Sequence, residues 1–518
     1  MSTILSEEDL NDFVAPALAC TKPTQIVKSK EPVVSNENGG GNASNGLEVQ
    51  VGIDDGNYGS NTTAEKVTIT LSDCLACSGC ITSSEELLLQ KQSHTVFLQA
   101  LEADKERRLV VLVAPQARIS LADYFGMKLT DFDLCLANFF GSRLNARYVV
   151  GTQYGRVLTI RQTIDKLLKL KEGGNPQRSQ SLAKCTPRLS TSCPGFVLYT
   201  EKTKPELVPS LLNVKSPQQI TGSLLRNSVP RGESQYILAL MPCFDKKLEA
   251  LRPDSVGEVD CVITPKEFVS MLQDLKVDFQ KYATKDTNIL TELSPKGWDP
   301  SVHWASNLGM GSSGGLAFQY VEYLRRKNPG SHILTLEGKN SNILEYRLVS
   351  GDSDGSNTTT LASASVLSGF RNIQNMVRNL STSNNIRSGR ASVAAKVTRN
   401  IRVRPRRKTD ENQNEGHKAR QSLTAEPFKV DFIEVNASPS GCINGNGMMG
   451  GGEESSARRK MHAQKMIDLY TETLPVIDPL TVQLPPDVDE TKFYEYSLHA
   501  IDGDKPKAKD IVSVGSSW

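Results

Sequence analysis

Between Leu109 and Phe432 the chain alternates short, β-branched apolar runs with helical patterns. The runs Leu109 to Val113, Tyr148 to Val150, Tyr236 to Leu240, Val259 to Ile263 and Val430 to Val435 have strand length. Strands alternating with amphipathic helices predict an α/β fold with largely parallel sheets. Helix starts are written in capping chemistry. Thr264-Pro265-Lys266-Glu267 offers an N-cap, a proline at the first helical position and a capping-box acid, which predicts a helix running towards Leu275. Ser216-Pro217-Gln218-Gln219 repeats the device ahead of Leu224, and Ser6 with Asp9 predicts a short helix through Leu10 and Phe13. The glycine-rich stretch Gly309 to Gly315 precedes an amphipathic helix from Leu316 to Arg326. No Lys-Ser/Thr pair follows it, so it is not a phosphate-binding Walker loop, and close backbone packing near a buried group is the expectation.

Two stretches break the pattern. From Val34 to Glu65 the chain turns to Asn, Gly and Ser with few apolar residues, a composition that cannot bury a core and predicts a flexible insert. A second insert, expected from Gly351 to Gln421, carries the basic block Arg402 to Lys408. Without interleaved aromatics that block is expected to be a solvated tract rather than a nucleic-acid site. Over all 518 residues, 60 basic and 58 acidic side chains leave a net charge of +2, which points to no polyanionic partner. No apolar run approaches the roughly 20 residues that span a bilayer. The acidic opening segment, Ser6 to Asp12, resembles neither a secretory signal nor a mitochondrial presequence, so the expected location is the cytoplasm.

Ten cysteines are too sparse for a secreted disulfide scaffold, and clustered thiols in a reducing compartment are more often metal ligands. Cys74-Leu75-Ala76-Cys77-Ser78-Gly79-Cys80 sets three thiols at three-residue intervals, so one folded loop can aim all three at a single cluster. Zinc sites draw their ligands in pairs, whereas a compact triplet with one remote partner suits an iron–sulfur cubane. Ile81-Thr82-Ser83-Ser84 follows where a bacterial ferredoxin would place its fourth cysteine, so that ligand must come from a distance. Cys20 is the candidate, the alternative being a buried bystander packed as a small hydrophobe. Cys193, Cys243 and Cys442 each sit in a turn, the latter two after apolar runs. Turns beyond the carboxyl ends of parallel strands are where α/β folds bind ligands, so these cysteines can converge. Lys246, three residues after Cys243, would add a positive charge there. Cys135, Cys185 and Cys261 have no such context.

Leu10-Asn11-Asp12-Phe13 with Cys20, the triplet from Cys74, Ala114-Pro115-Gln116, Thr191-Ser192-Cys193-Pro194-Gly195, Met241-Pro242-Cys243 with Lys246 to Glu249, and Phe432 to Val435 with Gly441-Cys442-Ile443-Asn444-Gly445 follow one another in order. The succession resembles the iron-only hydrogenase superfamily, and within it the eukaryotic non-hydrogenase branch, the NAR-type factors of cytosolic iron–sulfur assembly. The resemblance implies a two-lobed hydrogenase-like α/β body with largely parallel sheets. It divides the chain into an N-terminal cluster-binding region 1–108 with its insert 34–65, α/β lobes 109–350, the basic disordered insert 351–421, and the rest of the body with a tail, 422–518. It implies two [4Fe-4S] clusters, one on Cys20, Cys74, Cys77 and Cys80, the other on Cys193, Cys243 and Cys442. The family has a further cysteine four residues before Cys442, where this chain has Ser438. Either Ser438 ligates through oxygen, or another group completes the site, or the second cluster is incomplete; a hard alkoxide suits iron–sulfur chemistry less well than a thiolate.

The implied function is a non-catalytic assembly factor that passes clusters to cytosolic and nuclear apoproteins, the alternative being a hydrogenase-type redox enzyme. Hydrogenases carry protons on a cysteine at the position of Ser192, whose hydroxyl is a poor acid, and the ferredoxin-like electron-entry domains common among them are missing. The implied partners are P-loop scaffold NTPases and a WD40-containing targeting complex, with no membrane and no specific nucleic acid. Trp518 resembles the terminal aromatic of the tripeptide by which clients and adaptors engage that complex, although Ser516 departs from its usual aliphatic residue. Aromatic burial with capture of the free carboxylate would suffice for such docking.

Overall fold

A computed structural model describes residues 92–172, 187–228, 234–307, 311–350, 359–387, 424–450 and 456–501. The helix expected near Leu10, the insert 34–65, Cys20, Cys74, Cys77, Cys80, Cys185, the basic block and Trp518 lie outside the described residues.

The strands, in chain order, are β1 Arg108–Val113, β2 Ala146–Gly151, β3 Arg188–Leu189, β4 Gln235–Leu240, β5 Cys261–Ile263, β6 Ser306–Asn307, β7 Ser331–Glu337, β8 Ile343–Ser350, β9 Thr359–Ser368, β10 Phe432–Asn436 and β11 Val476–Ile477. Every strand expected from the apolar runs is present. The first sheet has the order β2-β1-β4-β5 and is parallel throughout, with Val113 opposite both Gly151 and Leu240. Its two central strands are buried almost completely, as parallel strands covered on both faces must be. A core from Phe97 to Tyr494 surrounds it, with Phe132, Phe139, Phe268 and Phe279 packed edge-on or tilted against one another.

The second sheet, β3-β10-β9-β8-β7, is mixed. β3, β10 and β9 run parallel, and β9, β8 and β7 form an antiparallel meander. β10 divides two cores by the two-residue alternation of a strand: Ile433 and Val435 face one, Phe432 the other. This sheet corrects the second insert. Residues 359–387, inside the expected 351–421 tract, form β9 and the helix Phe370–Arg387, and β9 sits at the centre of the sheet between β10 and β8. Its small residues Ala362, Ala364 and Ser365 are buried, so low hydrophobicity reflects tight packing instead of solvation. β6 and β11 make a third, two-stranded parallel sheet.

The helix Pro265–Asp274 starts as expected. Thr264 accepts from the Glu267 backbone N–H, while the Glu267 carboxylate accepts from Thr264 N at 2.9 Å. The helix Pro217–Asn227 also forms, but Ser216 makes no side-chain cap. Its hydroxyl is buried without a partner among the described residues, and Gln219, the residue placed to reach back, instead donates to the Glu249 carbonyl at 2.9 Å. No helix among the described residues is long and apolar enough to cross a membrane.

Candidate iron–sulfur site

Cys193, Cys243 and Cys442 each stand just beyond the carboxyl end of a parallel strand. β3 leads through Ser190-Thr191-Ser192 to Cys193, β4 through Met241-Pro242 to Cys243, and β10 through Ala437 to Gly441 to Cys442. The three turns meet. The Ala437 N–H donates to Cys193 Sγ at 3.3 Å, binding the first turn to the third. Gly445 and Gly447 press on the second turn: Gly447 N donates to the Pro242 carbonyl at 3.1 Å, and a Cβ at Gly445 would collide with that same oxygen and lie 3.3 Å from Cys243 Cβ. Asn446 Oδ1, between those glycines, accepts from Phe244 N at 3.2 Å.

The glycine-rich stretch completes the wall. Ser313 Oγ accepts from Cys442 N at 2.8 Å, and Gly441, at φ 83°, leaves no room for a side chain against that hydroxyl. Ser312 presents its carbonyl to Gln116 Nε2 at 2.5 Å, which brings the Ala114-Pro115-Gln116 turn into the same assembly. The buried group expected beneath these glycines is Glu434. Its carboxylate accepts from Ala317 N at 3.0 Å, with Gly315 and Leu316 N–H groups also directed at it, and Gly314 has no Cβ to obstruct it. A helix N-terminus is a natural seat for such an anion. Burial nonetheless raises the Glu434 carboxyl, against the pull of the Ala317 hydrogen bond and the Arg156 charge.

Electrostatics couple the three thiols. Burial first, then the negative charges of Cys442 and Asp245, push Cys193 up to about 12. Cys243 is raised well above its ordinary value by burial, then by Asp245 and Cys442, while Lys246 pulls the other way. Cys442 is raised by burial, opposed by the Ser313 hydrogen bond and by the Lys246 and Arg156 charges. The three cysteines are half-buried, and thiols held high in this way ionise when a cationic centre takes their negative charge. Lys246 is buried at the margin, its ammonium donating to Glu249 at 2.8 Å and to the Ser192 carbonyl at 3.1 Å, so it also holds the Cys193 turn. Burial disfavours its charge, but the Glu249 carboxylate and its hydrogen bond outweigh burial and the ammonium is held above its ordinary value.

The donor set fits an iron–sulfur group. Three thiols converge, and a buried carboxamide nitrogen beside them, Asn446 Nδ2, finds no acceptor among the described residues. No three His, Cys, Asp or Glu side chains among the described residues gather tightly enough for a single metal ion, whereas a cubane spreads its corners over a wider cage. Cys135 and Cys261 stand apart: both are buried, donating to the Phe279 and Ser93 carbonyls at 3.2 and 3.8 Å.

Sequence reasoning missed three contributors. Glu434 had a visible signal, an acid inside an apolar strand, which a buried partner must explain. Arg156, buried and bonded to Tyr470 Oη at 2.6 Å, had none. Lys247, next to Lys246, is buried and pairs with Glu267 while donating to the Gln92 carbonyl, the first described residue after the Cys74 triplet.

Residues 107–446 match the family described as iron only hydrogenase large subunit, C-terminal domain. Relatives named cytosolic Fe-S cluster assembly factor NAR1 align over the full length of both chains, at 49% identity in Saccharomyces cerevisiae, 47% in Kluyveromyces lactis and 43% in Eremothecium gossypii. Among solved structures, an [FeFe]-hydrogenase studied for oxygen inactivation covers 79% of this chain and 99% of its own at 17% identity and a TM-score of 0.52. An apo [FeFe]-hydrogenase from Chlamydomonas reinhardtii covers 79% and 100% at 18% identity and 0.50, and both likenesses speak to fold alone. The chain therefore belongs to the NAR1 family of cytosolic Fe-S cluster assembly factors, on the fold of the iron-only hydrogenase superfamily.

Proposed function

We propose that this chain is an adaptor of cytosolic iron–sulfur assembly that carries two [4Fe-4S] clusters and passes clusters to cytosolic and nuclear apoproteins. Cys193, Cys243 and Cys442 hold one cluster, and Cys20, Cys74, Cys77 and Cys80 hold the other. The observation that carries the reading is the meeting of three cysteine turns from two different sheets. Nothing in ordinary packing asks three half-buried thiols to converge beside a buried donor, Asn446 Nδ2, that finds no acceptor among the described residues, and an anionic sulfur-rich group satisfies both. When bound, such a cluster supplies electron storage and exchangeable iron and sulfide. The protein's own part is to aim the thiols, to donate hydrogen bonds through Ala437 N and to place the Lys246 and Arg156 charges nearby. The names of the relatives support assembly over catalysis, and Ser192 lacks the acidity that proton delivery to a hydrogenase centre requires.

Docking to a WD40-containing targeting complex through Trp518, and receipt of clusters from P-loop scaffold NTPases, complete the proposal; the protein works in the cytosol and reaches the nucleus. Deleting Trp518 weakens capture of the targeting complex with cluster content unchanged. Anaerobically purified holo-protein given a strong reductant evolves no hydrogen; sustained turnover would reverse the choice. Iron content and Mössbauer spectra of wild type and Ser438→Cys test the fourth ligand: tighter iron retention in the variant shows that Ser438 faces the cluster, and unchanged retention removes it from the site.

A further inference from the structure

Asn446 is held in an unusual way for a residue in a glycine turn. Its flanking glycines are pressed against the Pro242 carbonyl, and its Oδ1 accepts from Phe244 N at 3.2 Å, so its carboxamide lies across the junction of the Cys442 and Cys243 turns. A carboxamide is a fixed fork: once oxygen is committed to Phe244, the nitrogen faces the other way with two hydrogens to place. That nitrogen is buried and finds no partner among the described residues. A buried donor without an acceptor costs stability, so its retention calls for an acceptor beyond the described residues, and the sulfurs of a cluster on the neighbouring thiols are placed to be one. The site already shows the matching bond, from Ala437 N to Cys193 Sγ at 3.3 Å.

We propose that Asn446 is a positioning residue whose Nδ2 donates to a sulfur of the cluster held by Cys193, Cys243 and Cys442, raising its reduction potential and slowing its loss. The inference rests on the cluster reading above. Hydrogen bonds to cluster sulfurs favour the more negative, reduced state, so their removal makes reduction harder. Asn446→Asp keeps the acceptor for Phe244, removes the donor and adds a charge that itself lowers the potential, while Asn446→Gly removes acceptor and donor without adding charge. The experiment is a redox titration followed by EPR on anaerobically prepared full-length protein, with iron and sulfide counted in each sample. In both variants the ratio of reduced to oxidised second cluster at a fixed poise is expected to fall about tenfold, equivalent to about 59 mV for a one-electron couple, at wild-type iron content. Chelator is expected to remove that iron several-fold faster. If Asn446→Asp titrates like wild type while Asn446→Gly does not, Asn446 only braces Phe244 and the inference fails. If Asn446→Asp does not fold, a wild-type potential in Asn446→Gly overturns the donor role. A wild-type protein with no second cluster overturns the cluster reading itself and this inference with it.

Discussion

The two sheets deliver cysteines to one site by different means. The first, β2-β1-β4-β5, sends a single arm, Cys243, from a strand buried along its whole length; its own sheet steers it by backbone bonds, Met241 N donating to the Ile263 carbonyl at 2.9 Å, and the side chain that holds Phe244 N beside it, Asn446, comes from the Cys442 turn. The second sheet sends Cys193 and Cys442, and both arms are latched by polar side chains. Ser190 Oγ accepts from Val435 N at 3.0 Å, Thr191 Oγ1 donates to the Val214 carbonyl at 2.6 Å, Ser313 holds Cys442 N, and Glu434 gathers the N–H groups that open the helix Leu316–Lys327. Apolar packing fixes where a strand ends; aiming the turn beyond it takes directional bonds.

That contrast makes stability and cluster retention separable. The largest effect on folding is expected on the first-sheet side, at Lys247. Lys247→Met leaves Glu267 buried without its cation and disturbs the capping box that Glu267 shares with Thr264. Chemical denaturation should show a loss of about 3–5 kcal/mol. Next is Glu434→Leu in the second sheet, which strips the acceptor from Ala317 N and its neighbours and should cost about 3 kcal/mol. It should also speed iron release to a chelator, whereas Val262→Ala in β5, a cavity of about 1–3 kcal/mol, should lower stability with iron release unchanged. Equal release from the two would erase the distinction between the sheets.

The smallest effect is on pH. His303 is buried, accepts from Gly151 N at 3.2 Å through Nδ1 and shares a 2.8 Å bond with Ser294, so it is neutral in the fold. Burial, then the Arg118 charge, lowers it from 6.5 to about 3. The unfolded chain binds the proton first, so this contribution is whole above pH 6.5 and is lost as pH falls towards 3. Denaturation should show the protein less stable at pH 5 than at pH 6.5 by roughly 1–2 kcal/mol from this group, and His303→Gln should flatten the difference.

Much of the first sheet could be read from the sequence, because strands buried on both faces must be apolar throughout, as Leu109 to Val113 and Tyr236 to Leu240 are. The second sheet hid its centre. β9 packs closely through Ala362, Ala364 and Ser365, and Ser365 spends its hydroxyl on the Pro427 carbonyl at 2.7 Å, so a buried strand carries the composition of a loop. The site divided the same way. Cysteines after strand ends announced themselves, whereas the partners that orient them did not. Lys247 reaches Gln92 across 155 positions and Cys442 N reaches Ser313 across 129, and no local pattern encodes such pairs. Asn446 looked like one more residue in a glycine turn until the Phe244 amide fixed its carboxamide.

The decisive measurement is iron and acid-labile sulfide, with Mössbauer spectra, on anaerobically purified wild type and Cys243→Ala. Two cubanes give about eight irons per wild-type chain, and removing one arm of the second site should leave about four, with the N-terminal signal intact. A wild type carrying no iron, or a Cys243→Ala protein with the iron and spectrum of wild type, would contradict a cluster built where the two sheets meet.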